Sequence, residues 1–560
     1  MMYSAIETEK TRFARLAACV GALFVSLACR ASDAIPLLQM RLRANDTATY
    51  EIWKSNLCAF AEHPGCCDEV WFSTGTGVPG LDWHRERADI LKRAVADVRK
   101  MGIVPSLQFQ ATLGHGDAFG SPDLFTDKRW NGWTDWKGVE TQYCNCPRQP
   151  AFHAYLEEVS RIYARVGFSA LWIDDDLRYN NHRPADNAGV HVGCWCDTCI
   201  GEFNKATNGE WSRDGLGRAV ERDSSLAARW RVFSIDSLCV VAKTIATVFR
   251  DVSPSTRMAF QQVSAGSAVD PVLAVLETLH ETSGHPVGYR PGGGAYYDCN
   301  PNVQVIKSFR AGRFRKSLGG PSWVCEWTPE IESWPRTYYS RSGQSVLVEA
   351  FTALMYGMNS VSYFVSNSEK EEPELYAQQF WEPLADGSPV LRGYARIVRE
   401  SMAVGFSLPD NVDVADATLI HSAVPVLAGV GIDRGVCAKE DALMRPWEKT
   451  SREVQELRSR IDARCGGFPA ILASPFYGLM LPHVDERGKL RAVALVNERI
   501  DVQRNVRVAL RNLPDGVSSV VWHELRRPDI RLNISRKGGE GVVEIPEIGA
   551  WNAGFIGILE

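Results

Sequence analysis

Between residues 35 and 400, short apolar segments alternate with stretches of helical period, and no other feature limits the folding of this 560-residue chain as strongly. The segments are IPLLQMRL (35–42), EVWFSTG (69–75), IVPSLQFQ (103–110), SALWIDD (169–175), RMAFQQV (257–263), HPVGYR (285–290), SWVCEW (322–327) and VSYFVS (361–366). Between them, Ile90, Leu91, Ala94, Val95 and Val98 keep helical spacing, as do Tyr155, Leu156, Val159, Ile162 and Tyr163. Strand, helix and strand in succession build a parallel sheet, and eight such units predict a (β/α)8 barrel over residues 33–399 with enlarged loops.

The pattern changes on either side of that region. Residues 400–486 mix strand-like pieces (AVPVLAGVGI, FPAILASPF) with a charged helical stretch from Glu453 to Arg464, which predicts a small α/β connecting domain. From 487 to 560, RAVALVNE, VRVALRNL, SSVVWHEL and GVVEIPEI alternate in β fashion between turn residues, as in a β-sandwich. At the other end, Lys10, Arg12 and Arg15 precede the apolar run LAACVGALFVSLA, the pattern of a signal peptide over residues 1–31. A secreted or periplasmic protein is therefore expected, with SLAC ending at Cys29 offering a lipid-anchor alternative. No other stretch is expected to supply the roughly 20 apolar residues of a spanning helix. The net charge of -5 provides no basic face for nucleic acid.

Several strand ends carry polar residues that an apolar core would reject: Gln108 and Gln110 followed by His115, then Asp174, Asp175 and Asp176, Gln261 and Gln262, Arg290, and Glu326. In a barrel all strand C-termini open on one face, so these residues predict a polar basin there. Two carboxyl groups facing each other across such a basin are what glycoside hydrolysis needs, one as proton donor and acceptor, the other as nucleophile. Glu326, from strand seven, is the candidate nucleophile, and a buried glutamate paired with an arginine such as Arg290 is the structural alternative. Repulsion among three adjacent aspartates raises at least one pKa, as a general acid at neutral pH requires. Asp176 is the candidate acid/base with Asp174 as the alternative, and strand alternation places these two on one side and Asp175 on the other. A divalent cation on the same acids is a rival use.

Cys194, Cys196 and Cys199 form C-x-C-x-x-C, and Cys146 precedes them by one helix and one strand. Four thiolates close a tetrahedral zinc site and leave no open position, which predicts a structural metal; Cys144 is a substitute ligand. Disulfides are the competing outcome in a secreted chain. No organic cofactor is expected.

The run CPRQPAFHAYLEEVSRIYARVGFSALWIDDD followed by CWCDTC resembles the glycoside hydrolase family 42 β-galactosidases, as does CEWTP with a tryptophan eight residues after its glutamate. The resemblance covers roughly residues 140–380. It implies a retaining β-galactosidase-like activity on an oligo- or polysaccharide, with acid/base Asp176, nucleophile Glu326, stacking residue Trp334, a sugar-holding Glu374, and a structural zinc at the cysteines. His115, Asp174 and Asp175 would join substrate binding, and the family's frequent trimers make a homo-oligomer an expectation. The chain departs from the family in having Asp176 for glutamate, Asp175 for asparagine, Gln142 for arginine, and VSN after Phe364. Two other readings stay open: an α-glycosidase with a strand-four aspartate as nucleophile, and a carbohydrate-binding barrel without turnover.

Overall fold

The computed structural model describes residues 35–117, 120–179, 189–262, 269–292, 321–333, 341–365, 380–403, 469–474, 476, 478–537 and 540–558. The expected signal peptide, Trp334, Glu374 and most of the expected connecting domain lie outside the described residues.

Every predicted barrel segment forms a strand. With one further strand that was not predicted, the eighth, the nine in chain order are β1 (Leu38–Arg41), β2 (Glu69–Ser73), β3 (Val104–Phe109), β4 (Ala170–Ile173), β5 (Arg257–Gln261), β6 (Val287–Arg290), β7 (Val324–Trp327), β8 (Glu330–Ser333) and β9 (Val361–Val365). All pair in parallel, in the order β7-β6-β5-β4-β3-β2-β1-β9-β8. The seventh barrel strand thus comes in two pieces. β7 pairs with β6, the chain breaks step at Thr328 and Pro329, and β8 pairs with β9. Proline has no N–H to donate, so the ladder ends there. The Trp327 carbonyl accepts from the Asn359 and Ser360 N–H groups at 2.9 and 3.3 Å, which brings β7 against the entry to β9 and closes the wall.

Helices pack around this sheet for reasons already present in their sequences. Leu81–Lys100 has Asp82 in its first turn and Arg99 and Lys100 in its last, matching the helix dipole, and buries Ala88, Leu91, Ala94, Val95 and Val98. Pro150–Ala164 starts on proline, whose missing N–H costs nothing at that position, and buries Phe152, Leu156, Val159 and Tyr163. Ser224–Val252 has the length and hydropathy of a membrane span, but packs Leu238, Val241, Ile245 and Phe249 into the barrel's outer core.

Strand alternation divides the barrel into an apolar outside and a polar inside. Met40, Val70, Phe72, Leu107, Leu171, Met258 and Phe260 face the helices. Between them in sequence, Gln39, Arg41, Glu69, Gln108, Asp174, Arg257, Gln261 and Arg290 face the lumen. Trp71 and Trp172, stacked with ring centroids 4.0 Å apart, fill its middle with Ala170 and Ala259.

The C-terminal region is a sandwich of a six-stranded and a four-stranded antiparallel sheet. It begins earlier than residue 487: Met402–Ala403, Ala470–Leu472 and Gly478–Val484 are strands of these sheets. Gly478–Val484 is buried on both faces and so shows no alternation in its sequence. Leu479 and Leu481 turn to the barrel and Met480 to the sandwich core. Tyr394, on the helix Glu382–Glu400, places its hydroxyl 2.8 Å from His483 Nε2, and Gln344 donates to Asn552 Oδ1 at 2.7 Å.

Candidate active site

The three aspartates diverge at the end of β4. The Asp174 N–H still reaches the Phe109 carbonyl at 3.0 Å, as a sheet residue would, but the Leu177 N–H turns back to the Asp174 carbonyl at 3.2 Å. Extended geometry therefore stops at Asp174, and the expected two-to-one alternation does not hold: Asp175 and Asp176 come together with His115, their nearest ligand atoms within 4.8 Å of one another. Asp174 points into the lumen, where it accepts from Gln108 Nε2 at 2.7 Å and Gln110 Nε2 at 3.3 Å, with Arg41 Nη2 at 3.9 Å. Burial, then repulsion from Asp175 and Asp176, pushes its carboxyl up to about 6 against the pull of Arg41 and Arg290.

Asp176 is fully buried and its Oδ1 lies 2.7 Å from His115 Nδ1. The His115 side chain is 38% exposed, so this pair links a buried carboxylate to solvent. Burial by itself would lower the His115 pKa, but the hydrogen bond and charge of Asp176, with Asp174 and Asp175 behind it, raise it. Asp175 is paired with Arg178 at 3.2 Å and with Arg290 Nη2 at 3.3 Å.

The carboxylate that strand seven brings to this mouth is Glu330. It accepts from Arg41 Nη1 at 2.8 Å and is ion-paired with Arg290 Nη1. Two guanidinium groups thus bridge it to the aspartates, Arg41 toward Asp174 and Arg290 toward Asp175. Burial alone would depress the Arg290 pKa; Glu330, Asp175 and Asp174 hold it above its usual range. Arg41 also lies over the Phe364 ring, 4.6 Å from its centroid.

Glu326 occupies a different level. It is fully buried in the lower lumen, ion-paired with Arg257 Nη1, accepting from Gln39 Nε2, and 3.3 Å from Ser360 Oγ. Glu69 shares this cluster, taking Gln39 Nε2 at 3.1 Å and Trp172 Nε1 at 3.4 Å, and burial raises its pKa although Arg257 lies nearby. The structure does not bring Glu326 together with Asp176. Its contacts match the arginine-paired alternative, but the arginine is Arg257 and not the expected Arg290, which pairs with Glu330 instead. The reason is strand period: lumen-facing positions on strand seven climb through Glu326, Thr328 and Glu330, and the last of these reaches the mouth.

Arg41, Arg257 and Glu330 were missed by sequence reasoning. The alternation Gln39, Met40, Arg41 carried a signal, since a polar residue at every second position of a barrel strand marks a lumen face that is not apolar.

Beside the mouth, Cys146, Cys194, Cys196 and Cys199 are all buried, with their sulfur atoms within 4.8 Å of one another. Cys146 Sγ is 3.4 Å from Cys196 Sγ and 3.5 Å from Cys199 Sγ. These spacings are too long for a disulfide and close to the about 3.8 Å edge of a tetrahedron with 2.3 Å zinc–sulfur bonds. The donor set fits a closed, soft-ligand metal site. Contacts from Cys146, Cys194 and Cys199 drive the Cys196 thiol far below its usual range. Cys144 is buried in the same apolar cluster but stands apart from the four, and burial pushes its thiol up to about 12. Gly193, at φ +120°, lets the chain pass Ser234 and Trp230 where a Cβ would collide. Asn145 ties the cysteines to the segment that carries His115, its N–H reaching the Leu113 carbonyl at 2.7 Å and its Nδ2 the Thr112 carbonyl at 2.9 Å.

No protein-family model and no curated protein matches the sequence. Solved structures do match in fold. A β-galactosidase from Bacillus circulans sp. alkalophilus aligns with TM-score 0.56 at 11% identity, covering 94% of this chain and 99% of its own. Gan42B, a GH42 β-galactosidase from G. stearothermophilus, aligns with TM-score 0.55 at 9% identity, covering 93% and 98%. Alpha-L-fucosidase isoenzyme 2 from Paenibacillus thiaminolyticus aligns with TM-score 0.54 at 9% identity, covering 94% and 100%. The architecture is shared along nearly the whole length of each.

Proposed function

We propose that this protein is a secreted glycoside hydrolase that cleaves a β-linked sugar by double displacement, with Glu330 as nucleophile and Asp176 as acid/base. The observation that carries the reading is the convergence of Glu330 with Asp174 and Asp175, to which Arg41 and Arg290 bridge it, at the strand end where Asp176 follows. A double displacement needs its two carboxyl groups about 5 to 5.5 Å apart. Arg41 and Arg290 both lie against the Glu330 carboxylate and hold it in place. Asp176 would protonate the leaving oxygen and then take a proton from water, with His115 exchanging that proton with solvent. The shared fold of the galactosidases and the fucosidase agrees with a sugar substrate.

Asp174 is the second reading for the acid, favoured by a carboxyl pushed up to about 6, near the pH at which a general acid works. A zinc ion held by Cys146, Cys194, Cys196 and Cys199 would act structurally, fixing the segment on which His115 is mounted.

The test is hydrolysis of paired α and β aryl glycosides by the wild type, Glu330→Gln, Glu326→Gln, Asp176→Asn and Asp174→Asn. Glu330→Gln should lose turnover by about 10³-fold or more, with azide restoring part of it to Glu330→Gly. If Glu326→Gln is the inactive, folded variant and Glu330→Gln is active, the nucleophile is Glu326. Activity on the α series alone would assign a strand-four aspartate as nucleophile, and no turnover on either series would leave a binding protein.

A further inference from the structure

The lumen glutamines are not alike. Gln108 and Gln110 donate to Asp174, and Gln39 donates to Glu69 and Glu326. Gln261, at the end of β5, is fully buried, yet neither its amide oxygen nor its amide nitrogen has a hydrogen-bond partner among the described residues. It faces the lumen, because Arg257 and Ala259 below it on the same side line the interior, while Met258 and Phe260 pack outward.

Two neighbours share its condition. Gln261 pairs in register with Arg290, and the Thr328 N–H bonds the Tyr289 carbonyl at 3.1 Å, so β5, β6 and the end of β7 hold Gln261, Arg290 and Thr328 side by side. All three are fully buried. Thr328 Oγ1 and Arg290 Nε also lack a hydrogen-bond partner among the described residues. Buried polar atoms are nearly always bonded, and a fold gains nothing by leaving four together unsatisfied on adjacent strands.

We propose that Gln261, with Thr328 and Arg290 Nε, binds hydroxyl groups of a neutral sugar ring next to the Glu330 carboxylate. The inference rests on the glycosidase reading and names the substrate class for that site. The atoms comprise two donors, one acceptor and one hydroxyl able to be either, which suits a pair of ring hydroxyls, each both donor and acceptor. An acidic sugar is disfavoured, because Asp174, Asp175 and Glu330 surround the same arginine and would repel a fourth carboxylate. The polar atoms are thus specificity determinants that reject sugars lacking the matching hydroxyl.

The experiment compares wild type with Gln261→Met and Thr328→Val, near-isosteric changes that remove the polar atoms. Three readouts are taken: melting temperature without sugar, kcat and KM on the aryl glycoside that the wild type hydrolyses best, and the same constants on its mono-deoxy analogues. Gln261→Met should melt at or above the wild-type temperature, lose tenfold or more in kcat/KM, and lose the wild type's discrimination against one deoxy analogue. A melting temperature well below wild type with KM and deoxy discrimination intact would make Gln261 a structural residue and overturn the proposal. If the wild type hydrolyses no glycoside, the catalytic reading fails by itself. Calorimetry with D-galactose and L-fucose then decides the binding role: binding abolished by Gln261→Met sustains it, and binding unaffected or absent from the wild type ends it.

Discussion

Replacing Asp174 by Asn should stabilise the protein at pH 8 and destabilise it at pH 4. In the wild type the Asp174 carboxyl is held at about 6 against an ordinary 3.8, by burial first and by Asp175 and Asp176 second. A carboxyl whose folded pKa is raised binds protons more tightly in the native state, so its favourable contribution is complete below about 4 and is lost as pH rises through 6. A shift of about two units corresponds to about 3 kcal/mol carried as a penalty above pH 6. Asparagine removes that penalty, but its amide nitrogen replaces one of the two oxygens that accept from Gln108 and Gln110 and cannot itself accept, which costs about 1 kcal/mol. The net expectation is about 2 kcal/mol of stabilisation at pH 8 and about 1 kcal/mol of destabilisation at pH 4. Melting curves of the two proteins at pH 4, 5, 6 and 8 read this directly, as a difference that changes sign between the ends. A pH-independent difference, or a less stable Asn variant at pH 8, would refute the reasoning.

Three other outcomes follow from the same geometry. Glu326→Gln leaves the half-buried Arg257 with Glu69, at 3.8 Å, as its one carboxylate partner among the described residues, and should cost about 1–3 kcal/mol in denaturant unfolding while the folded fraction keeps its kcat. Because the His115 pKa is raised by Asp176, any stability or activity that needs the charged ring is complete below pH 6.5 and is lost only as pH rises through the higher folded value; in His115→Gln that alkaline loss should vanish from the pH profile. Chelation under denaturing conditions should release one zinc per chain, and Cys199→Ser should lower both metal content and melting temperature; full metal content in Cys199→Ser would exclude the four-sulfur site.

The barrel was legible because strand and helix periods alternate so regularly that each predicted segment became a strand. The grouping of the cysteine quartet was legible too, from C-x-C-x-x-C plus a distant Cys146, although disulfides and Cys144 stayed open as alternatives in the sequence. The level of Glu330 relative to Glu326 was not. Both lie on one face of strand seven, and only the break at Pro329, which passes the strand from β6 to β9, shows which level each occupies. The alternation expected of the aspartates failed for a related reason: strand period holds only while the chain is extended, and the Leu177-to-Asp174 turn ends it. Gly478–Val484 escaped assignment to the sandwich because a strand covered on both sides carries no polar rhythm.

The two-piece seventh strand gives the barrel a seam. Below it, backbone hydrogen bonds run from β6 to β7; above it, among the described residues, β8 bonds only β9, and the Arg290–Glu330 ion pair spans the remaining gap. The wall at the mouth is therefore stitched by charge where the rest is woven by peptide groups. A cylinder fastened in this way has a direction of least resistance. Neutralising Glu330 loosens the stitch as well as the chemistry, so hydrogen exchange in the Glu330→Gln protein should quicken first along residues 330–333, while β1 to β5 stay protected.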